Sequence, residues 1–158
     1  MAVMHVKVGD TVTFSKTVSE SDVYLFAGLT GDLSPNHVDE EFMSRSIYGH
    51  RIAHGALLVG FMSNTSTRMI EESLKKGIDG TPVSLGYDGV RFLKPVFFGD
   101  TITVSYTISE IDEPRRRTVA GIEVKNQRGE LVAVARHITK WIENPTVRPA
   151  GLESKRAS

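Results

Sequence analysis

Ala56 to Met62, Ala-Leu-Leu-Val-Gly-Phe-Met, is apolar around the whole circumference of a helix, whereas Arg68, Glu71, Glu72, Lys75 and Lys76 come only later. A helix that begins without a polar face has to begin inside the protein, and one that gathers charge toward its end leaves it again. The pattern predicts one helix from His54 to Lys75, about 30 Å long at about 1.5 Å per residue. Gly77 is its stop. Gly60, in the middle, costs about 1 kcal/mol relative to alanine and predicts a closely packed neighbour. Everything else in the chain has to be laid around this helix.

After Gly80 and Pro82 the period changes from helix to strand. Val83, Leu85 and Tyr87 alternate, and the phase slips by one residue to Val90 and Phe92 across Asp88-Gly89, which a β-bulge explains. Phe98-Gly99-Asp100, Glu113 to Arg116 and Asn126 to Gly129 are turns that separate three further strands. These are marked by Ile102, Val104, Tyr106 and Ile108, by Thr118 to Val124, and by Leu131 to Ile142. The last is apolar on both faces around Val132 to Ala135, which places it inside the sheet. Short turns imply an antiparallel meander, because parallel neighbours need long crossovers. The expected architecture is α+β: one domain over residues 1–142, a curved antiparallel sheet wrapped around a long central helix. Such a sheet leaves an edge unpaired, and a second copy of the chain is a natural partner for it. Residues 143–158 carry two prolines and no periodicity and are expected to form a flexible extension.

Ahead of the helix, Thr11 to Val18 alternates as a strand, and Ser19-Glu20-Ser21-Asp22 is a helix start with a capping hydroxyl and acids at the positive end of the dipole. Val23, Phe26 and Ala27 form the buried stripe of that helix, which Gly28 and Gly31 end. Asp39 caps a second short helix, Glu40 to Ser44. Between them lies Thr-Gly-Asp-Leu-Ser-Pro-Asn-His-Val, Thr30 to Val38. Two groups able to carry protons, Asp32 and His37, share one loop that Gly31 and Pro35 hold to few conformations. Turn chemistry alone would account for Gly-Asp-x-Ser-Pro. An acid/base pair on an ordered loop also suits catalysis.

Composition removes several classes of function. The chain has no cysteine, which excludes disulfides and thiolate metal sites, and its formal net charge is zero, which offers nothing to nucleic acid or an anionic membrane. Its first ten residues lack the apolar core of a signal peptide, and a cytoplasmic protein is expected. The five histidines lack a metal-binding spacing such as His-x-x-x-His, so no metal is expected. His5, His50 and His137 read as structural or exposed, and His54 as packing beside the helix start, outside the catalytic set. Arg115 to Arg117 read as a charged turn, with contact to phosphates as the lesser alternative.

Gly31-Asp32-Leu33-Ser34-Pro35-Asn36-His37-Val38-Asp39, followed by Ile52-Ala53-His54-Gly55 at the start of the buried helix, resembles the signature of the MaoC-like (R)-specific enoyl-CoA hydratases. That family has the hot-dog fold. Ser34 departs from the family's asparagine, and Asn36 is available as a partial replacement. The resemblance implies hydration of a trans-2-enoyl-CoA to the (R)-3-hydroxyacyl-CoA, or the reverse dehydration, with Asp32 and His37 holding one water. It implies no cofactor, coenzyme A being part of the substrate, and a homodimer or dimer-based assembly. Water addition to a conjugated thioester needs a base, an acid and a stabilised enolate oxygen. For that oxygen the backbone amide of Gly55 is the candidate, at the N-terminus of the buried helix. The resemblance also puts Ser63, about two turns further along, on the wall of the substrate site; a small residue bonded to its own backbone is the alternative. Two rival functions remain: a hot-dog acyl-CoA thioesterase, and a non-catalytic acyl-CoA-binding module.

Overall fold

The computed structural model describes residues 5–77 and 80–144. The elements run β1 (Thr11–Thr17), α1 (Glu20–Thr30), α2 (Pro35–Val38), α3 (Glu40–Ser44), α4 (Gly55–Lys75), β2 (Thr81–Phe92), β3 (Thr101–Asp112), β4 (Arg117–Lys125) and β5 (Leu131–Ile142). Of the expected extension, only Glu143 and Asn144 fall among the described residues, and Met1 to Met4 lie outside them. Among the described residues, no helix is long and apolar enough to cross a membrane.

The five strands form one antiparallel sheet in the order β1-β3-β4-β5-β2. Burial alternates along β3 and β4, so that Ile102, Val104, Tyr106 and Ile108 join Ala120, Ile122 and Val124 on the face that meets Leu58, Met62 and Met69 of α4. Fully burying an aliphatic side chain of this size contributes roughly 1.5–3 kcal/mol. On the outer face, β1 and β3 are joined by hydroxyl pairs, Thr11 with Thr107, Ser15 with Thr103 and Thr17 with Thr101, at 2.7–2.8 Å. Ser19 and Asp22 form a full capping box on α1.

Four local readings change. β2 does not pair with β3: it lies at one edge beside β5, and residues 93–100 carry the chain back across to β3, which sits next to β1. That crossing is fixed by the start of α4, through Ala53 N–H to Val96 O at 2.8 Å and a bridge between Ile52 and Phe97. The apparent short turn at Phe98 to Asp100 is only the end of it. α1 runs through Gly28 and stops at Gly31, whose φ of 80° needs glycine. Gly60 is exposed, and a Cβ built there would meet nothing within 4 Å, so no close neighbour accounts for it. The β2 irregularity at Asp88-Gly89 is present, and a second register shift lies between Ser84 and Gly86.

A buried polar group crosses the sheet at His137, 1 % exposed. Its Nδ1 meets the Tyr106 hydroxyl at 2.8 Å, its Nε2 meets Ser84 Oγ at 2.8 Å, and Tyr87 stacks on its ring at 4.3 Å. Burial pushes the Tyr106 phenol up to about 12 and holds His137 down at about 4, below its ordinary 6.5. Tyr106 therefore keeps its proton, and the neutral His137 ring, with one nitrogen donating and the other accepting, joins the Tyr106 and Ser84 hydroxyls. The unfolded chain binds the histidine proton at higher pH than the native one, so this contribution is complete above about pH 6.5 and is lost as pH falls toward 4. The loss amounts to about 3 kcal/mol. Urea denaturation across that window is expected to show the decline, and His137→Gln to flatten it. Glu40 and Glu130, both lowered to about 2 by hydrogen bonds, lose their contribution only below about pH 4.5, in a separate window.

Candidate active site

The loop that holds Asp32 and His37 is more regular than its sequence suggests, since Pro35 opens the one-turn helix α2 and His37 sits on it. Ser34 is the N-cap residue of that turn and makes no side-chain cap bond; its carbonyl accepts from His37 N–H at 2.9 Å. Asn36 contributes through its carbonyl, which accepts from Ile52 N–H at 3.0 Å. Asp39 caps α3 through Phe42 N–H at 2.9 Å. Arg51, only 17 % exposed at its side chain, ties the segment before α4 to both flanks, with Glu20 at 2.7 Å and Glu40 at 3.0 Å. The loop and the start of α4 thus form one hydrogen-bonded unit.

His37 Nδ1 lies 2.7 Å from the carbonyl oxygen of Ile52. A carbonyl only accepts, so Nδ1 carries the proton, and Nε2 of the neutral ring is a bare acceptor. Asp32 is exposed; its Oδ1 accepts from Ser34 N–H at 3.4 Å. His54, the N-cap residue of α4, is 1 % exposed and contacts both. Its ring packs against that of His37 with centroids 3.7 Å apart and planes inclined by 30°, and its Nε2 donates to the Asp32 backbone carbonyl at 2.9 Å and lies 4.0 Å from Asp32 Oδ2. Sequence reading left His54 aside; its position immediately before the glycine that begins the buried helix was the available signal.

One atom from each of Asp32, His37 and His54 falls within 4.8 Å of the others. Two hydrogen bonds of about 2.8 Å meeting at a tetrahedral water span roughly 4.6 Å, so one water fits between the carboxylate and an imidazole. Three such ligands also make up the protein share of a catalytic zinc site. One of the three is committed otherwise: His54 Nε2 carries the hydrogen that it donates to the Asp32 carbonyl, so that nitrogen has no lone pair to offer a metal.

Beside this group is a cleft of about 250 Å³, bounded by His37, Tyr48, Ile52, Gly55, Leu58 and the crossing segment from Phe92 to Val96. His37 and Gly55 both line it, and Gly55 is the first residue of α4, where an amide has no partner within its helix. Asp32 is not part of the cleft wall. Ser63 is not part of that wall either: it is exposed, its carbonyl accepts from the Ser66 hydroxyl at 2.7 Å, and its own hydroxyl neighbours Tyr87. Arg115 to Arg117 lie at the β3–β4 turn around a separate groove, with Arg115 paired to Asp112 at 2.9 Å.

A family model described as "MaoC like domain" matches residues 4–129. The chain is 36% identical over 104 residues to an (R)-specific enoyl-CoA hydratase of Rhodospirillum rubrum, covering 66% of this chain and 67% of that one. The solved (R)-hydratase from A. caviae involved in PHA biosynthesis superposes with a TM-score of 0.75 at 26% identity, over 87% of this chain and 98% of the other. An Archaeoglobus protein described as monoamine oxidase regulatory protein gives 0.75 at 33% identity, over 92% and 96%. The fold is the hot-dog fold of these neighbours.

Proposed function

As the chain belongs to the MaoC-like domain family and is a hydro-lyase of the hydratase/dehydratase kind, we propose that it adds water to trans-2-enoyl-CoA thioesters to give (R)-3-hydroxyacyl-CoA, or removes it. The observation that carries this reading is a His37 imidazole with its Nε2 bare and a ring nitrogen within 4.8 Å of the Asp32 carboxylate, at a cleft that His37 lines together with Gly55. The water donates one hydrogen to Asp32 and one to His37, which turns a lone pair toward C3 of the substrate. As the C3–O bond forms, the C2–C3 π electrons move into the thioester, whose oxygen accepts from Gly55 N–H. The bare Nε2 of His37 takes the proton from the attacking water and, now protonated, delivers it at C2, which closes the balance; Asp32 keeps its charge and orients the water.

The enzyme is read as cytoplasmic, as a homodimer or dimer-based oligomer that covers an exposed sheet edge, and as needing nothing beyond the coenzyme A of its substrate. Loss of enoyl absorbance with crotonyl-CoA, octenoyl-CoA and mesaconyl-CoA, with free thiol followed in parallel, tests the reaction. Turnover to the (R)-alcohol without thiol release is expected, and dialysis against EDTA is expected to leave the rate within about twofold, since an essential metal is normally worth far more. Thiol release would show a thioesterase. The likeness to a protein described as regulatory favours a second reading, a binding module without turnover. That reading predicts retention of acyl-CoA with no change in absorbance.

A further inference from the structure

We propose that His54 is a positioning residue for the Asp32/His37 dyad, holding the Asp32 backbone by a hydrogen bond and the His37 ring by close ring packing. This rests on the hydratase reading above. The two contacts are of different kinds and reach both members of the pair, an Nε2–H···O bond of 2.9 Å to the Asp32 carbonyl and a tilted ring contact with 3.7 Å between centroids. Phe26 also packs on the imidazole, with centroids 4.8 Å apart, so the ring has little freedom to turn. Asp32 needs such a support, because its carboxylate is half exposed and its other contacts are long, its N–H to Thr30 Oγ1 at 3.2 Å and Ser34 N–H to its Oδ1 at 3.4 Å.

Stability alone is a poor reason for a histidine here. The side chain is 1 % exposed and its Nδ1 has no hydrogen-bond partner, so a buried polar atom is left unsatisfied where an apolar residue would leave none. What the imidazole supplies, and leucine cannot, is a donor at Nε2 and a flat face. His54 also occupies the N-cap position of α4, although its side chain makes no cap bond, so it adjoins the Gly55 amide directly in the chain.

The test compares His54→Leu, His54→Phe and His54→Gln in crotonyl-CoA hydration, with kcat and KM measured separately and folding checked by circular dichroism. A displacement of about 1 Å in a reacting group can cost about 10²-fold. His54→Leu is expected to lower kcat by about 10- to 100-fold with KM within about twofold. His54→Gln, whose amide reaches the same carbonyl, is expected to recover part of that loss, and His54→Phe, which keeps the ring without the donor, to recover less. In an Asp32→Asn background, His54→Leu is expected to cost nothing further, because it acts through the dyad. An unchanged kcat in His54→Leu, or losses that add fully to Asp32→Asn, would overturn the inference. If His54→Leu does not fold, the Gln and Phe variants decide: equal, undiminished kcat in both overturns it. Native protein that turns over no enoyl-CoA would instead refute the hydratase reading, and this inference would fall with it.

Discussion

Asp32→Asn and His37→Ala are each expected to lower kcat for crotonyl-CoA hydration by about 10²–10⁴-fold, the usual worth of a general acid or base, while leaving the protein folded. Asp32 is exposed and His37 only partly buried, so neither substitution opens the core. Asparagine keeps the shape of Asp32 and its acceptor oxygen toward Ser34 N–H, but it places no negative charge beside the water. Alanine at 37 removes the bare Nε2 and also the bond to Ile52 O that fixed the tautomer. Because both act on one water, the double variant is expected to lose little more than the worse single one, as for residues that act as a unit. Steady-state kinetics on the three variants checks this. Additive losses would mean two independent tasks.

Gly55→Ala is expected to cost about 10- to 100-fold in kcat/KM with a small change in melting temperature. A Cβ there would come within 2.6 Å of two Phe92 ring carbons and 2.8 Å of a third, and contacts that short force something to move. The ring is 51 % exposed and can turn, so the fold survives. Both residues line the cleft, so the movement falls on the space proposed for the substrate and on the amide proposed to face its thioester. The double variant Gly55→Ala/Phe92→Ala relieves the collision and is expected to regain most of the loss. Full activity in Gly55→Ala alone would remove the close approach at this amide from the account.

Much of this was legible in the chain itself, for identifiable reasons. The long helix declared itself because seven consecutive residues lack a polar face, and the capping box of α1 and the Asp39 cap are short-range chemistry that a sequence carries whole. The position of β2 was not legible. Alternation along Val83 to Phe92 marks a strand but says nothing of its neighbour, and the crossing over residues 93–100 is fixed by Ala53 and Ile52, some forty residues earlier. Gly60 misled because a glycine has two explanations, close packing or none, and only coordinates distinguish them. His54 was passed over on the same kind of ground: its importance lies in a contact to Asp32, 22 positions away, that no local pattern expresses.

Crotonyl-CoA incubated with the native protein in water enriched in heavy oxygen, with the products read by mass spectrometry, follows the attacking water itself. The dyad account predicts the label on C3 of an intact coenzyme A thioester, as the (R)-3-hydroxy product, arriving about 10²–10⁴-fold more slowly with Asp32→Asn. Label in a free carboxylate, with coenzyme A released, or an unlabelled and unconsumed thioester, would contradict it.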